Sequence, residues 1–190
     1  VIYQPVGVVA AVVPWNFPLL MAAWKAAPAL AAGCSIILKP AEQSPLTAIK
    51  LAELAKEAGI PDGVFNVITG FGDTGEAIGR HSDIDAVSFT GSTEVGALFM
   101  RYSGESNLKT IGLEMGGKSP FIVLDDADIN DDLIENAAMS AYWNGGQNCS
   151  ANMRQIIHEK VKDDFLHKVL EKTKSLKVGN PLDPTSDMGS

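Results

Sequence analysis

Strands alternate with helices along this chain at a spacing that leaves few folds open. Val6 to Val12 is a continuous apolar run rich in β-branched residues, preceded by Pro5 and ended by Pro14, which predicts a strand buried on both faces. A helix is expected over Leu19 to Ala32, then a short buried strand over Ser35 to Leu38. Ser44-Pro45 predicts an N-cap with proline at the first helical position of a helix running to Ala58, and Gly59 suits a left-handed C-cap. Val64 to Thr69 and Ala86 to Phe89 read as strands, followed by helices near Gly75 to Arg80 and Thr93 to Tyr102. Leu108 to Glu114 and Pro120 to Leu124 continue the pattern. This repetition implies a doubly wound, mainly parallel α/β sheet of Rossmann-like type, whose ligands sit beyond the strands' carboxyl ends.

The turn Gly116-Gly117-Lys118-Ser119 predicts a domain boundary, giving one domain over residues 1–116 and the beginning of a second α/β domain over 117–190. The second domain should hold a helix over Asp131 to Trp143, a strand over Gln155 to His158 and an amphipathic helix. That last helix places Val161, Phe165, Leu166, Val169, Leu170 and Leu176 on one stripe, with Lys162, Lys168, Lys172 and Lys174 toward solvent. Phe17 to Leu38 is long and apolar enough to suggest a membrane span. Lys25, Pro18, Pro28 and the break at Gly33-Cys34-Ser35 favour helix, turn and buried strand instead.

Charge narrows the partners. Fifteen Lys and Arg against 23 Asp and Glu leave a formal net charge of −8, which disfavours nucleic acid and anionic membrane surfaces. Two cysteines, Cys34 and Cys149, are too few for a disulfide framework, and no metal-binding spacing occurs, so no metal is expected. A reducing, cytoplasmic setting fits, with an organellar one left open because the chain opens as though cut from something larger. Val1-Ile2-Tyr3-Gln4-Pro5 carries no secretory signal.

Four places could carry chemistry. Gly91-Ser92-Thr93-Glu94-Val95-Gly96 follows a strand and opens a helix, which suits a phosphate at a helix N-terminus or simply a packing turn. Cys149 lies in the small, polar loop Asn144-Gly145-Gly146-Gln147-Asn148-Cys149-Ser150, either an accessible nucleophile or an ordinary loop thiol. Cys34, beside Ser35-Ile36-Ile37, reads as inert core. Glu114 interrupts an apolar strand before Gly116, as a general base whose pKa desolvation raises or as half of an ion pair with Lys118. Asn16 stands between Pro14 and Pro18, a preorganised amide donor or a turn former. His81, His158 and His167 form no Cys-His or Ser-His-Asp arrangement.

Taken together, Pro14-Trp15-Asn16-Phe17-Pro18, Lys39-Pro40-Ala41-Glu42, Phe89-Thr90-Gly91-Ser92, Leu113-Glu114-Met115-Gly116-Gly117-Lys118 and Asn144-x-Gly146-Gln147-x-Cys149 follow the order and spacing of one family. The chain resembles the NAD(P)-dependent aldehyde dehydrogenases over essentially all its residues. The resemblance implies that Cys149 attacks an aldehyde, that the Asn16 amide and the Cys149 N–H hold the oxyanion, and that Glu114 activates the water that hydrolyses a thioester. It implies cofactor contacts from Val13, Pro14, Trp15, Lys39, Glu42, Gly72, Phe89, Gly91, Ser92, Val95, Met115 and Gly116, and a substrate tunnel lined by Phe17, Met21 and Trp24. Glu42 should favour NAD over NADP, since a carboxylate accepts ribose hydroxyls and repels a 2′-phosphate. Lys39 is the cation through which NADP remains possible.

Family members are more than twice as long. The initial strands of the cofactor domain, an oligomerisation arm and a Glu-x-Phe-Gly-Pro segment have no match here. The isolated chain is therefore expected to be inactive, its parent a homodimer or homotetramer acting on a small aldehyde.

Overall fold

The computed structural model describes residues 2–189; Val1 and Ser190, the outer limits of the two expected domains, lie outside them. The chain divides into two compact units, Val1–Met115 and Gly116–Ser190.

The first unit holds a five-stranded parallel sheet: β1 (Val8–Val12), β2 (Ser35–Lys39), β3 (Phe65–Val67), β4 (Ala86–Gly91) and β5 (Thr110–Met115), ordered β3-β2-β1-β4-β5. Helices α1 (Pro18–Ala31), α2 (Leu46–Glu57), α3 (Gly72–Arg80) and α4 (Thr93–Gly104) make the crossovers. Period-two alternation splits β1 between two cores. Ala11 and Val13 join Ile36, Leu38, Met21, Ala22 and Ala48 beneath α1 and α2. Ala10 joins Val87, Phe89, Ile78, Phe99 and Tyr102 beneath α3 and α4. Burial on both faces is why the strand reads as an unbroken apolar run.

The apolar stretch from Phe17 resolves into helix, turn and strand: Pro18 opens α1, Gly33 turns at φ 80°, and β2 follows. No helix among the described residues is long and apolar enough to cross a membrane.

Several boundaries differ from expectation. Ser44 does not cap α2: Pro45 occupies the N-cap position itself, no side chain caps the helix, and the Ser44 hydroxyl is buried. Helix α3 begins three residues early, at Gly72, because the tertiary fold overrides the turn-like character of Gly72, Asp73 and Thr74. Strand β3 is only Phe65–Val67, although the Ile68 N–H still bonds the Leu38 carbonyl at 3.0 Å. Strand β5 starts at Thr110, since Leu108 sits at φ 59°, outside strand geometry.

The second unit pairs β6 (Pro120–Val123) in parallel with β7 (Arg154–Ile157), connected through α5 (Asp131–Tyr142) and followed by α6 (Lys162–Ser175). Val123, Ile134, Ala137, Phe165 and Val169 form its core. The expected α6 stripe is narrower than its sequence: Phe165 and Val169 are buried, whereas Leu166 and Leu170 are exposed beside an open groove. Residues four apart share a helix face only within the arc a neighbour covers, and here that arc is one residue wide per turn.

Candidate active site

Strand β1 leaves through α1 to β2 on one side, and β4 leaves through α4 to β5 on the other. Between these neighbours the winding reverses, which opens a crevice at their carboxyl ends. Val13 and Pro14 leave β1 there, Lys39 ends β2, Gly91 and Ser92 end β4 and open α4, and Met115 ends β5. Phe89 belongs instead to the core beneath α3 and α4. Gly116 begins the second unit.

A cavity of about 250 Å³ lies along this edge. Of the expected cofactor residues, Lys39, Glu42, Gly72 and Val95 line it; Val13, Pro14, Trp15, Phe89, Gly91, Ser92, Met115 and Gly116 do not. Sequence reasoning missed its apolar walls, Val12, Phe71, Leu98, Phe99 and Tyr102, and the α3 residues Gly75 and Glu76. The signal for α3 was Gly70-Phe71-Gly72 after β3, a glycine pair before a helix; Gly70 turns at φ 152°. Flat apolar walls beside one cation and two carboxylates suit an aromatic base carrying a hydroxylated sugar.

Lys39 is buried, and its Nζ donates to the Pro40 carbonyl at 3.2 Å. Burial pushes its pKa down, while Glu42 and Asp73 pull it back up. At the start of α4 the Ser92 hydroxyl accepts the Val95 N–H at 3.3 Å. A Cβ on Gly91 would stand 2.6 Å from the Phe89 ring and one on Gly96 2.7 Å from the Met115 sulfur, so the Phe89 ring and the Met115 side chain would each have to shift to admit one.

Asn16 and Phe17 are half-buried between β1 and α1, and Trp15 is half-exposed. The three expected tunnel residues separate: Met21 is core, while Trp24 points outward. Glu114 is exposed on β5. The Lys118 ammonium, in the second unit, lies 3.1 Å from the Met153 sulfur.

Lys25, in α1, had been read only as an interruption of a membrane-like stretch. Its Nζ donates to the Ser88 hydroxyl at 2.8 Å. Ser88 and Thr90 share one face of β4, and Thr90 is the register partner of Glu114, so Lys25 lies over the sheet face that carries Glu114. Burial lowers the Lys25 pKa, and the Glu114 charge opposes that.

Cys149 belongs to the second unit. After α5 the chain passes through Asn144, Gly145 and Gly146, all at positive φ, where glycine and asparagine are the tolerated residues. The next turn is closed twice. The Ala151 N–H bonds the Asn148 carbonyl at 3.1 Å, and the Asn148 Oδ1 accepts from the Ser150 N–H at 3.2 Å and the Ser150 hydroxyl at 3.1 Å. Buried Ala151, and Asn152 bonding Ser140 and Pro120, anchor the turn. Cys149 stands exposed at its apex, its Sγ 3.9 Å from the Asn148 Oδ1. Cys34 is buried, as its neighbours implied. No group of three or more potential metal ligands occurs among the described residues.

A doubly wound parallel sheet with a cleft at its carboxyl edge, and a separate unit presenting an exposed thiol, define the class as a two-unit, thiol-bearing α/β protein. The aldehyde dehydrogenase family model matches residues 1–190, and the chain belongs to that family. It is 50% identical over 191 aligned residues to the NADP/NAD-dependent aldehyde dehydrogenase PuuC of Escherichia coli, covering 100% of this chain and 39% of that protein. The γ-glutamyl-γ-aminobutyraldehyde dehydrogenase of Burkholderia cenocepacia superposes at TM-score 0.94 with 55% identity, covering 97% of this chain and 38% of that one. The P. syringae indole-3-acetaldehyde dehydrogenase AldA, in complex with NAD+, superposes at 0.93 with 52% identity, covering 96% and 37%. The chain thus spans about two-fifths of the length of these relatives.

Proposed function

We propose that the polypeptide carrying this sequence oxidises a small aldehyde to its carboxylic acid with NAD, Cys149 serving as nucleophile. The observation that carries this reading is the Cys149 turn: an exposed thiol at the apex of a turn closed by three hydrogen bonds, on a chain half identical to aldehyde dehydrogenases.

The Cys149 thiolate adds to the aldehyde carbon. Among the described residues its backbone N–H has no acceptor, so it can donate to the developing oxyanion, with the Asn16 amide as second donor. Bound NAD supplies the hydride acceptor. Glu114 then removes a proton from the water that cleaves the thioester, and its exposure gives that water access. Lys39 and Glu42 would hold the adenosine ribose at the cleft, and the α4 N-terminus would offer backbone N–H groups to the pyrophosphate, since the Ser92 hydroxyl is used as its cap. Residues 1–116 are on this reading the cofactor domain, and 117–190 open the catalytic one. Phe17 and the exposed Trp24 are on this reading the aldehyde's apolar neighbours, which favours an uncharged tail, while Met21 stays in the core.

NADH absorbance with short aliphatic aldehydes tests this on the longest natural polypeptide that carries the sequence. Activity lost with Cys149→Ala supports it, and activity retained in that variant sinks it. The 190-residue chain alone is expected not to turn over, and measurable aldehyde oxidation by it would refute that.

A further inference from the structure

We propose that Arg80, in the last turn of α3, is a positioning residue for the cleft: it cancels the charge of the Glu76 carboxylate in the cleft wall and so lets an anionic dinucleotide approach that wall. The inference rests on the dinucleotide reading of the cleft and goes beyond it in assigning a role to a residue that does not line it.

Lys39 is the one cation among the described residues lining the cleft, and two carboxylates, Glu42 and Glu76, line it too. By that count the wall is negative. Arg80 is not a lining residue, yet it touches two of them, one on each helix. Its Nε donates to the Glu76 Oε1 at 2.7 Å, one turn back on α3, and its guanidinium carbon stands 4.6 Å from the centre of the Tyr102 ring on α4. A third contact comes from the end of α4, where the Glu105 Oε2 accepts from Nη1 at 2.8 Å. An isolated half-exposed ion pair fixes little, because two long side chains swing freely. Here one planar guanidinium is held by two carboxylates and an aromatic face, which keeps its charge on Glu76. Glu105 does not draw that charge away, since Arg101 stands 3.7 Å from its other oxygen. The network balances two guanidinium groups against two carboxylates, so of the lining charges only Lys39 and Glu42 remain, one of each sign. Without Arg80 the wall would set two carboxylates against one ammonium and repel a pyrophosphate.

Calorimetric titration of NAD and of adenosine into the longest natural polypeptide carrying the sequence tests this without turnover. Arg80→Gln should weaken NAD binding about three- to fivefold and leave that of uncharged adenosine within about twofold. Adding Glu76→Gln should bring NAD affinity back to within about twofold of wild type, and Arg80→Lys, which keeps the charge, should retain most of it. Unchanged NAD affinity in Arg80→Gln would overturn the role of Arg80 and leave the dinucleotide site standing. Equal losses for NAD and adenosine, or no recovery in the double variant, would mark a packing role and also overturn it. Failure of the wild type to bind NAD would remove both the site and the proposal.

Discussion

Cys149 and Cys34 carry the same side chain in opposite surroundings, one at the apex of an exposed turn and one in the core. Iodoacetamide should label Cys149 at least about tenfold faster than Cys34 in the native protein, the difference vanishing in denaturant; equal native rates would contradict the exposure. Lysines make the second argument at this scale. Lys109 is buried, its ammonium donating to the Gly79 carbonyl at 2.6 Å and the Ser106 hydroxyl at 2.9 Å, and burial lowers its pKa. A lysine whose folded pKa is depressed leaves the unfolded chain with more protons in the alkaline window below the ordinary lysine value, so stability rises with pH there. Urea melts of wild type and Lys109→Met should shift in the wild type's favour as pH climbs through that window, and a pH-independent difference would contradict it. Residue identities in the motifs were legible because each sits in a short, distinctive string. Lys25 was not, because its meaning comes from Ser88 and Glu114, which are remote in sequence.

Among the elements, helix starts separate local from tertiary causes. Ser92 caps α4 through its own side chain, and Ser92→Ala should cost about 1 kcal/mol in urea denaturation. In α3, Gly79→Ala gains helix propensity but sets a Cβ 2.6 Å from the Tyr102 ring and 3.0 Å from its Cβ. That clash should dominate, destabilising by about 1 to 3 kcal/mol, and a neutral or stabilising result would mean α3 moves freely over α4. All five strands of the first unit were legible as apolar runs between turns. Their order β3-β2-β1-β4-β5 was not, since pairing is decided by residues tens of positions apart, and the early start of α3 was hidden by turn-forming residues. The α6 stripe misled in the other direction, because periodicity marks a face and says nothing of how much of it a partner covers.

For the molecule as a whole, the two units differ in how their sheets are protected. The first buries a five-stranded sheet between helices on both faces, whereas β6 and β7 stand as a pair with Ile122 and Ile156 exposed. Amides of β6 and β7 should therefore exchange with deuterium faster than those of β1 and β4, and equal protection would contradict this. The central claim, an acyl group carried on Cys149 and released through Glu114, has a direct test. The Glu114→Gln variant of the longest natural polypeptide would be mixed with NAD and a short aldehyde, quenched in acid and digested for mass spectrometry. The account predicts a near-stoichiometric burst of NADH and an acyl mass on the peptide bearing Cys149; turnover at the wild-type rate, or a burst with no adduct on Cys149, would contradict it.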